Sequence, residues 1–136
     1  MKSKIVMVAL FYPAAVLTMA FTALEQPAKP WIVPEKFSKV VNPSKSDQKS
    51  YKEGKELYGK YCQSCHGKIG LGDGSKAAQL KSEPGNFSLA AFQKQTDGAL
   101  YYKISEGRDD MPAFKKKIDD ADEMWELINY LRTLKK

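Results

Sequence analysis

Residues 61–75 read YCQSCHGKIGLGDGS, and they hold both cysteines and the single histidine of a 136-residue chain, gathered between Cys62 and His66. A gap of two residues between Cys62 and Cys65 suits three kinds of chemistry: a redox disulfide, half of a zinc site, or covalent anchorage of a porphyrin. Each needs different company, so the surrounding sequence discriminates among them.

A structural zinc site takes four nitrogen or sulfur ligands. Cys62, Cys65 and His66 have no second pair elsewhere in the chain. A thioredoxin-type dithiol opens a helix inside a βαβ unit, where the helix N-terminus lowers the thiol pKa. Here the pair follows a helical stretch, and no convincing period-two strand occurs anywhere. A purely structural disulfide is the remaining thiol-only reading. Haem attachment needs what is present: two thiols add across two vinyl groups, and a histidine directly after the second thiol reaches the iron.

Upstream of the motif, SYKEGKELYGKYC places Tyr51, Gly54, Tyr58 and Tyr61 at spacings of three and four, the mark of an amphipathic helix running into Cys62. Downstream, glycines 67, 70, 72 and 74 make a tight irregular loop. SLAAFQ predicts a further turn from Ser88. TDGALYYKISEG predicts a short helix with Thr96 as N-cap and Gly107 past its end. DADEMWELINYLRTLKK predicts the last helix, with Asp120 and Glu123 in capping-box relation and Met124, Leu127, Ile128, Leu131 and Leu134 on one stripe. The fold class is therefore all-α. Few large aliphatic residues lie between these helices, and small cores of that kind need a staple; a covalent macrocycle supplies one.

Residues 1–24 stand apart. Lys2 and Lys4 precede the uncharged run IVMVALFYPAAVLTMAFTAL, the order of a basic then apolar export signal. No clean A-x-A site follows, and about 20 apolar residues just span a bilayer. A cleaved signal peptide and a retained membrane anchor through residues 5–24 are both consistent with it. Either places the mature domain outside the cytoplasm, in the periplasm, free or attached to the membrane. Residues 25–49, with Pro27, Pro30, Pro34 and Pro43, read as an extended linker. Trp31, Ile32, Val33 and Phe37 are too apolar for a purely solvated tether, and they make it a surface strap or a docking segment. Residues 50–136 form the domain proper.

The chain is 43% apolar and 28% charged with a formal charge of +6, to which Lys2 and Lys4 contribute. Its basic residues are interspersed with acidic ones apart from Lys115, Lys116 and Lys117, so no nucleic-acid platform is formed. A mildly basic face fits an acidic protein partner better.

The sixth iron position has few claimants. His66 is the only histidine, and beyond Leu24 only Met111 and Met124 carry a thioether. Met124 lies on the last helix's apolar stripe and reads as core. Met111 stands in the polar loop GRDDMPAFKKK, beside the fixed backbone of Pro112, and is the candidate distal ligand. Histidine with methionine raises the reduction potential and favours electron transfer over ligand binding.

From about Ser50 to Lys136, CQSCHGKIGLGDG, EPGNF and MPAF together make the sequence resemble the class I cytochromes c, in particular small bacterial single-haem domains. The resemblance implies three to five helices wrapped around one covalent haem c. It implies thioethers at Cys62 and Cys65, with iron held by His66 and Met111. It further implies that the first helix crosses the last at Gly54 and Tyr58, against Tyr130 and Leu131, and that a carbonyl near Pro84 accepts the His66 Nδ1 proton. Gly67, Gly70 and Gly74 would let the backbone approach the haem edge, which Lys68, Lys76 and Lys115 either ring or merely flank. The implied role is an electron carrier of a bacterial respiratory chain, not an enzyme, meeting redox protein partners and no small-molecule substrate. Alternatives are a haem enzyme or sensor, such as a peroxidase or gas binder with a labile Met111, and a haem-free thiol–disulfide oxidoreductase. An anchored subunit of a respiratory complex is compatible with the main reading.

Overall fold

The computed structural model describes residues 29–135. The export signal or anchor expected over residues 1–24, and the first part of the Pro-rich segment, lie outside the described residues. A compact unit runs Trp31–Lys136, so the segment read as a linker contributes residues 31–49, most of its length, to that unit.

Six α-helices occur in order among the described residues: α1 Glu35–Ser38, α2 Gln48–Tyr61, α3 Gln63–His66, α4 Ala90–Gln93, α5 Asp97–Glu106 and α6 Ala121–Thr133, with a 3₁₀ turn at Ala77–Gln79. α1, α3 and α4 are single turns, and the long members α2, α5 and α6 coincide with the three periodic stretches of sequence. The only extended pairing among the described residues is an isolated bridge between Arg108 and Met111. The chain is all-α.

Local chemistry sets the helix ends. α2 starts earlier than its tyrosine stripe indicates because the Asp47 carboxylate accepts the Ser50 N–H at 2.9 Å. α5 is capped by Thr96, whose hydroxyl accepts the Ala99 N–H at 3.2 Å, and it stops at Gly107 with φ of 65°. At α6 the capping box expected of Asp120 and Glu123 is replaced by a tighter cap: the Asp120 carboxylate accepts from Asp122 at 2.8 Å. α4 begins after Leu89 instead of Ser88, because Ser88 turns back to bond Asn86 through both its N–H and its hydroxyl.

The core sits where α2 crosses α6. Tyr58, Met124, Leu127 and Ile128 are its largest fully buried side chains, each worth roughly 1.5–3 kcal/mol of burial. A Cβ at Gly54 would collide with the Glu126 carbonyl and lie 2.9 Å from Tyr130 Cβ, so a glycine is what lets the two helices touch backbone to backbone. Tyr58 packs on Tyr130 with ring centroids 5.3 Å apart. Arg132 ties α6 to the start of α5, donating to Asp97 and to the carbonyls of Gln93 and Gln95.

The strap of residues 31–47 is docked. Phe37 rests on Tyr102 of α5 with centroids 4.8 Å apart. Buried Asn129 of α6 accepts from Asn42 at 2.9 Å and Ser46 at 3.2 Å, and donates to Ser50 at 2.8 Å. Asn129 and Trp125 are both buried off the predicted stripe of α6, because the strap gives that helix a second face to cover. Among the described residues no helix is long and apolar enough to cross a membrane.

Candidate functional site

Cys62 ends α2 and starts α3, and the single turn of α3 carries the motif: its carbonyl accepts from Cys65 at 3.2 Å and from His66 at 2.9 Å. Spacings of three and four within one turn put both sulfurs and the imidazole on the same side. Such a short helix would leave its last carbonyls bare. The glycine loop returns to cap them: Gly72 donates to His66, Gly74 to Cys65 and Lys76 to Ser64, at 2.9, 3.1 and 2.8 Å. A Cβ on Gly74 would lie 2.6 Å from the Cys65 carbonyl carbon and oxygen, which explains that glycine by a close approach to α3. Gly67, at φ of 83°, makes the turn that ends α3. Its carbonyl accepts the buried Tyr58 hydroxyl at 2.5 Å, and burial pushes the Tyr58 pKa upward. Gly67 and Gly74 thus each have a reason in the backbone itself.

Cys62, Cys65, His66, Pro84 and Met111 line one cavity of about 460 Å³. An adjoining cavity of about 350 Å³ shares His66, Pro84 and Met111 and is walled by Phe87, Leu100, Ile104 and Leu131. Both volumes fall in the range of ordinary cofactor sites. All five residues expected from the sequence therefore meet at one place, and Met124 is core at 1% exposure.

His66 stacks on Phe87, with centroids 4.4 Å apart and planes 30° apart. Its Nδ1 is buried without a hydrogen-bond partner. Burial lowers the imidazole pKa to about 4, while the nearby backbone of Gly85 and Pro84 pulls the other way. Those peptides are thus within electrostatic reach of the ring, although Nδ1 completes no bond to a carbonyl. The result is a neutral imidazole, the form that binds metal.

Both thiols are free. Burial, and secondly the neighbouring Cys65, push the Cys62 thiol up to about 12. A thiol–disulfide oxidoreductase needs the opposite shift.

Met111 is held by its loop. Arg108 and Met111 exchange both backbone hydrogen bonds, at 2.8 and 2.9 Å, around Asp109 at φ of 52°. Phe114 then donates to the Ile104 carbonyl at 3.0 Å, fastening the loop to α5.

Lys76 lines the larger cavity, but its companions there are Lys60 and Lys117, while Lys115 pairs with Glu106 at 2.8 Å. Sequence reading also passed over three participants: Phe87, Asp110 and, as a lining residue, Trp31. Phe87 had a signal, being the only aromatic in the loop EPGNF. The other two had none, because their role arises from loops meeting across the cavity.

The donor set fits a covalently held porphyrin. Two thiols and a neutral imidazole come from one turn, and a thioether from another loop reaches the same cavity. Among the described residues no group of three or more His, Cys, Asp or Glu side chains is assembled for a protein-only metal site.

A strand-free helical domain built around C-x-x-C-H defines a small class I c-type cytochrome. The chain belongs to the family described as "Cytochrome C oxidase, cbb3-type, subunit III", matched over residues 49–131. Membership implies covalent haem c with its iron, and a role in electron transfer. Among solved structures the chain is similar to the "Kuenenia stuttgartiensis reducing HAO-like protein complex Kustc0457/Kustc0458", at 28% identity and a TM-score of 0.63. That likeness covers 69% of this chain and 47% of that one, so the chain spans about half the length of its match. It is also similar to the "KustC0563 c-type cytochrome", at 30% identity and a TM-score of 0.52, over 61% of this chain and 98% of that one. No curated protein matches the chain.

Proposed function

We propose that the protein is a single-haem electron carrier whose haem c is bound through Cys62 and Cys65 and ligated by His66 and Met111. The observation that carries this is the convergence of Cys62, Cys65, His66 and Met111 on one cavity. The bound group supplies an iron that gains and loses one electron with little change in geometry. The chain's own part is to orient and to exclude water. Phe87 holds the His66 ring by stacking, and the backbone at Pro84 and Gly85 faces its Nδ1, the Pro84 carbonyl being the acceptor that fixes the tautomer in the loaded protein. Leu100, Ile104 and Leu131 keep the second cavity apolar. No residue is required as nucleophile or general base.

The partners are redox proteins, and Lys60, Lys76 and Lys117 at the mouth of the larger cavity favour an acidic one. Residues 1–24 direct export, and the domain works in the periplasm, soluble after cleavage or anchored by residues 5–24. Within that reading, a subunit of a larger redox complex is favoured over a free shuttle by the family and by the solved complex that the chain resembles. A peroxidase or gas sensor requires Met111 to leave the iron.

Pyridine haemochrome spectroscopy with intact mass tests the proposal. One haem c per chain with a methionine–iron band in the ferric spectrum supports it, and a colourless protein with two titratable thiols overturns it.

A further inference from the structure

Trp31 is the first residue of the compact unit, far in sequence from the motif, yet it lines both cavities together with His66, Pro84 and Met111. Its ring carries two cations: the Arg108 guanidinium carbon lies 4.6 Å from the centroid, and Lys103 Nζ lies 5.5 Å away. Arg108 is also the residue that exchanges both backbone hydrogen bonds with Met111. The strap bearing Trp31 is fixed independently by Phe37 on Tyr102 and by Asn42 on Asn129.

From this connectivity we infer that Trp31 is a positioning residue for Met111: its indole clamps Arg108, and through the Arg108–Met111 bridge it holds the methionine loop against the cavity. The inference rests on the ligand assignment proposed above. An indole over a guanidinium is among the stronger forms of cation–π contact, and this one joins the N-terminal strap to the loop that carries Met111. Opening that loop must break the contact, so Trp31 sets the fraction of molecules in which Met111 is displaced.

The test uses the full-length, haem-loaded chain and three variants: Trp31→Ala, Trp31→Phe and Ile32→Ala, the last at a neighbouring side chain that is 83% exposed and lines neither cavity. Haem content, the ferric methionine–iron band and the affinity for added imidazole are measured on each. Trp31→Ala is expected to keep its haem, to weaken the band and to bind imidazole about fivefold more tightly, the size of one partly exposed cation–π contact. Trp31→Phe, which keeps an aromatic face, restores most of the wild-type behaviour, and Ile32→Ala matches wild type. Wild-type imidazole affinity in Trp31→Ala overturns the role of Trp31 while leaving the ligands intact. Absence of the methionine band from the wild-type protein instead overturns the ligand assignment itself.

Discussion

Asp110 accepts the backbone N–H of Lys81 at 2.6 Å, and with the same oxygen that of Ser82 at 3.2 Å. This clasp joins the loop carrying Met111 to the loop carrying Pro84, and Asp110 and Ser82 both line the larger cavity. Charge-assisted bonds of this kind are the stronger class, although solvent reaches this pair.

Replacing Asp110 with Ala removes both bonds without touching a proposed ligand. The amides of Lys81 and Ser82 are expected to exchange about fivefold faster under native conditions, since each lost bond is worth about 1 kcal/mol. Native-state hydrogen exchange reads this directly. Unchanged protection would show that the clasp is incidental.

Met111→Ala leaves the attachment residues in place. The variant should retain full haem content, lose the methionine–iron band, and gain carbon monoxide binding in the ferrous state. Flash photolysis or a simple difference spectrum decides it, and a carbon monoxide affinity equal to that of wild type refutes the assignment of Met111.

Gly54→Ala puts a methyl group into the Glu126 carbonyl at the crossing of α2 and α6. Backbone cannot rotate aside as a side chain does, so the cost is at the upper end for overpacking, about 3 kcal/mol. Denaturant unfolding of the haem-loaded protein measures it. A loss under about 1 kcal/mol would mean that the helices separate freely.

Glu126 sits at the same crossing, and desolvation, followed by the hydrogen bond that its protonated carboxyl donates to Glu53 and by repulsion from the Glu53 charge, raises its pKa from 4.5 to about 7. The folded state then holds a proton that the unfolded chain has already lost between those pH values. By linkage, stability falls as pH rises from about 4.5 to about 7 and is level above that. Glu126→Gln should flatten this slope and stabilise the protein at neutral pH, by about 0.5 kcal/mol because solvent screens the pair. Thermal unfolding between pH 4 and 8 follows the effect; a wild-type curve rising with pH across that window contradicts it.

Much of this was legible in the chain. C-x-x-C-H declared its chemistry because two thiols and a histidine within one turn satisfy no zinc or dithiol requirement in this company. α5 was legible to its last residue, since Thr96 and Gly107 are strong local stops. Gly54 and Tyr58 at the crossing followed from the resemblance, but the partner backbone at Glu126 did not, because a glycine signals a close approach without saying to what. The strap was the weakest reading: four prolines argued for an extended tether, and only the docked positions of Phe37 and Asn42 show it as part of the fold.

Sequence alone determined the cofactor chemistry and the helical class and pointed to the proposed donors, because covalent attachment and helix periodicity depend on spacing along the chain. Tertiary structure decided what brings those donors together and keeps them there: Phe87 against His66, Asp110 on Lys81 and Ser82, and Trp31 on Arg108. Those contacts join residues more than twenty positions apart, and no local pattern encodes a meeting that only the packed backbone creates.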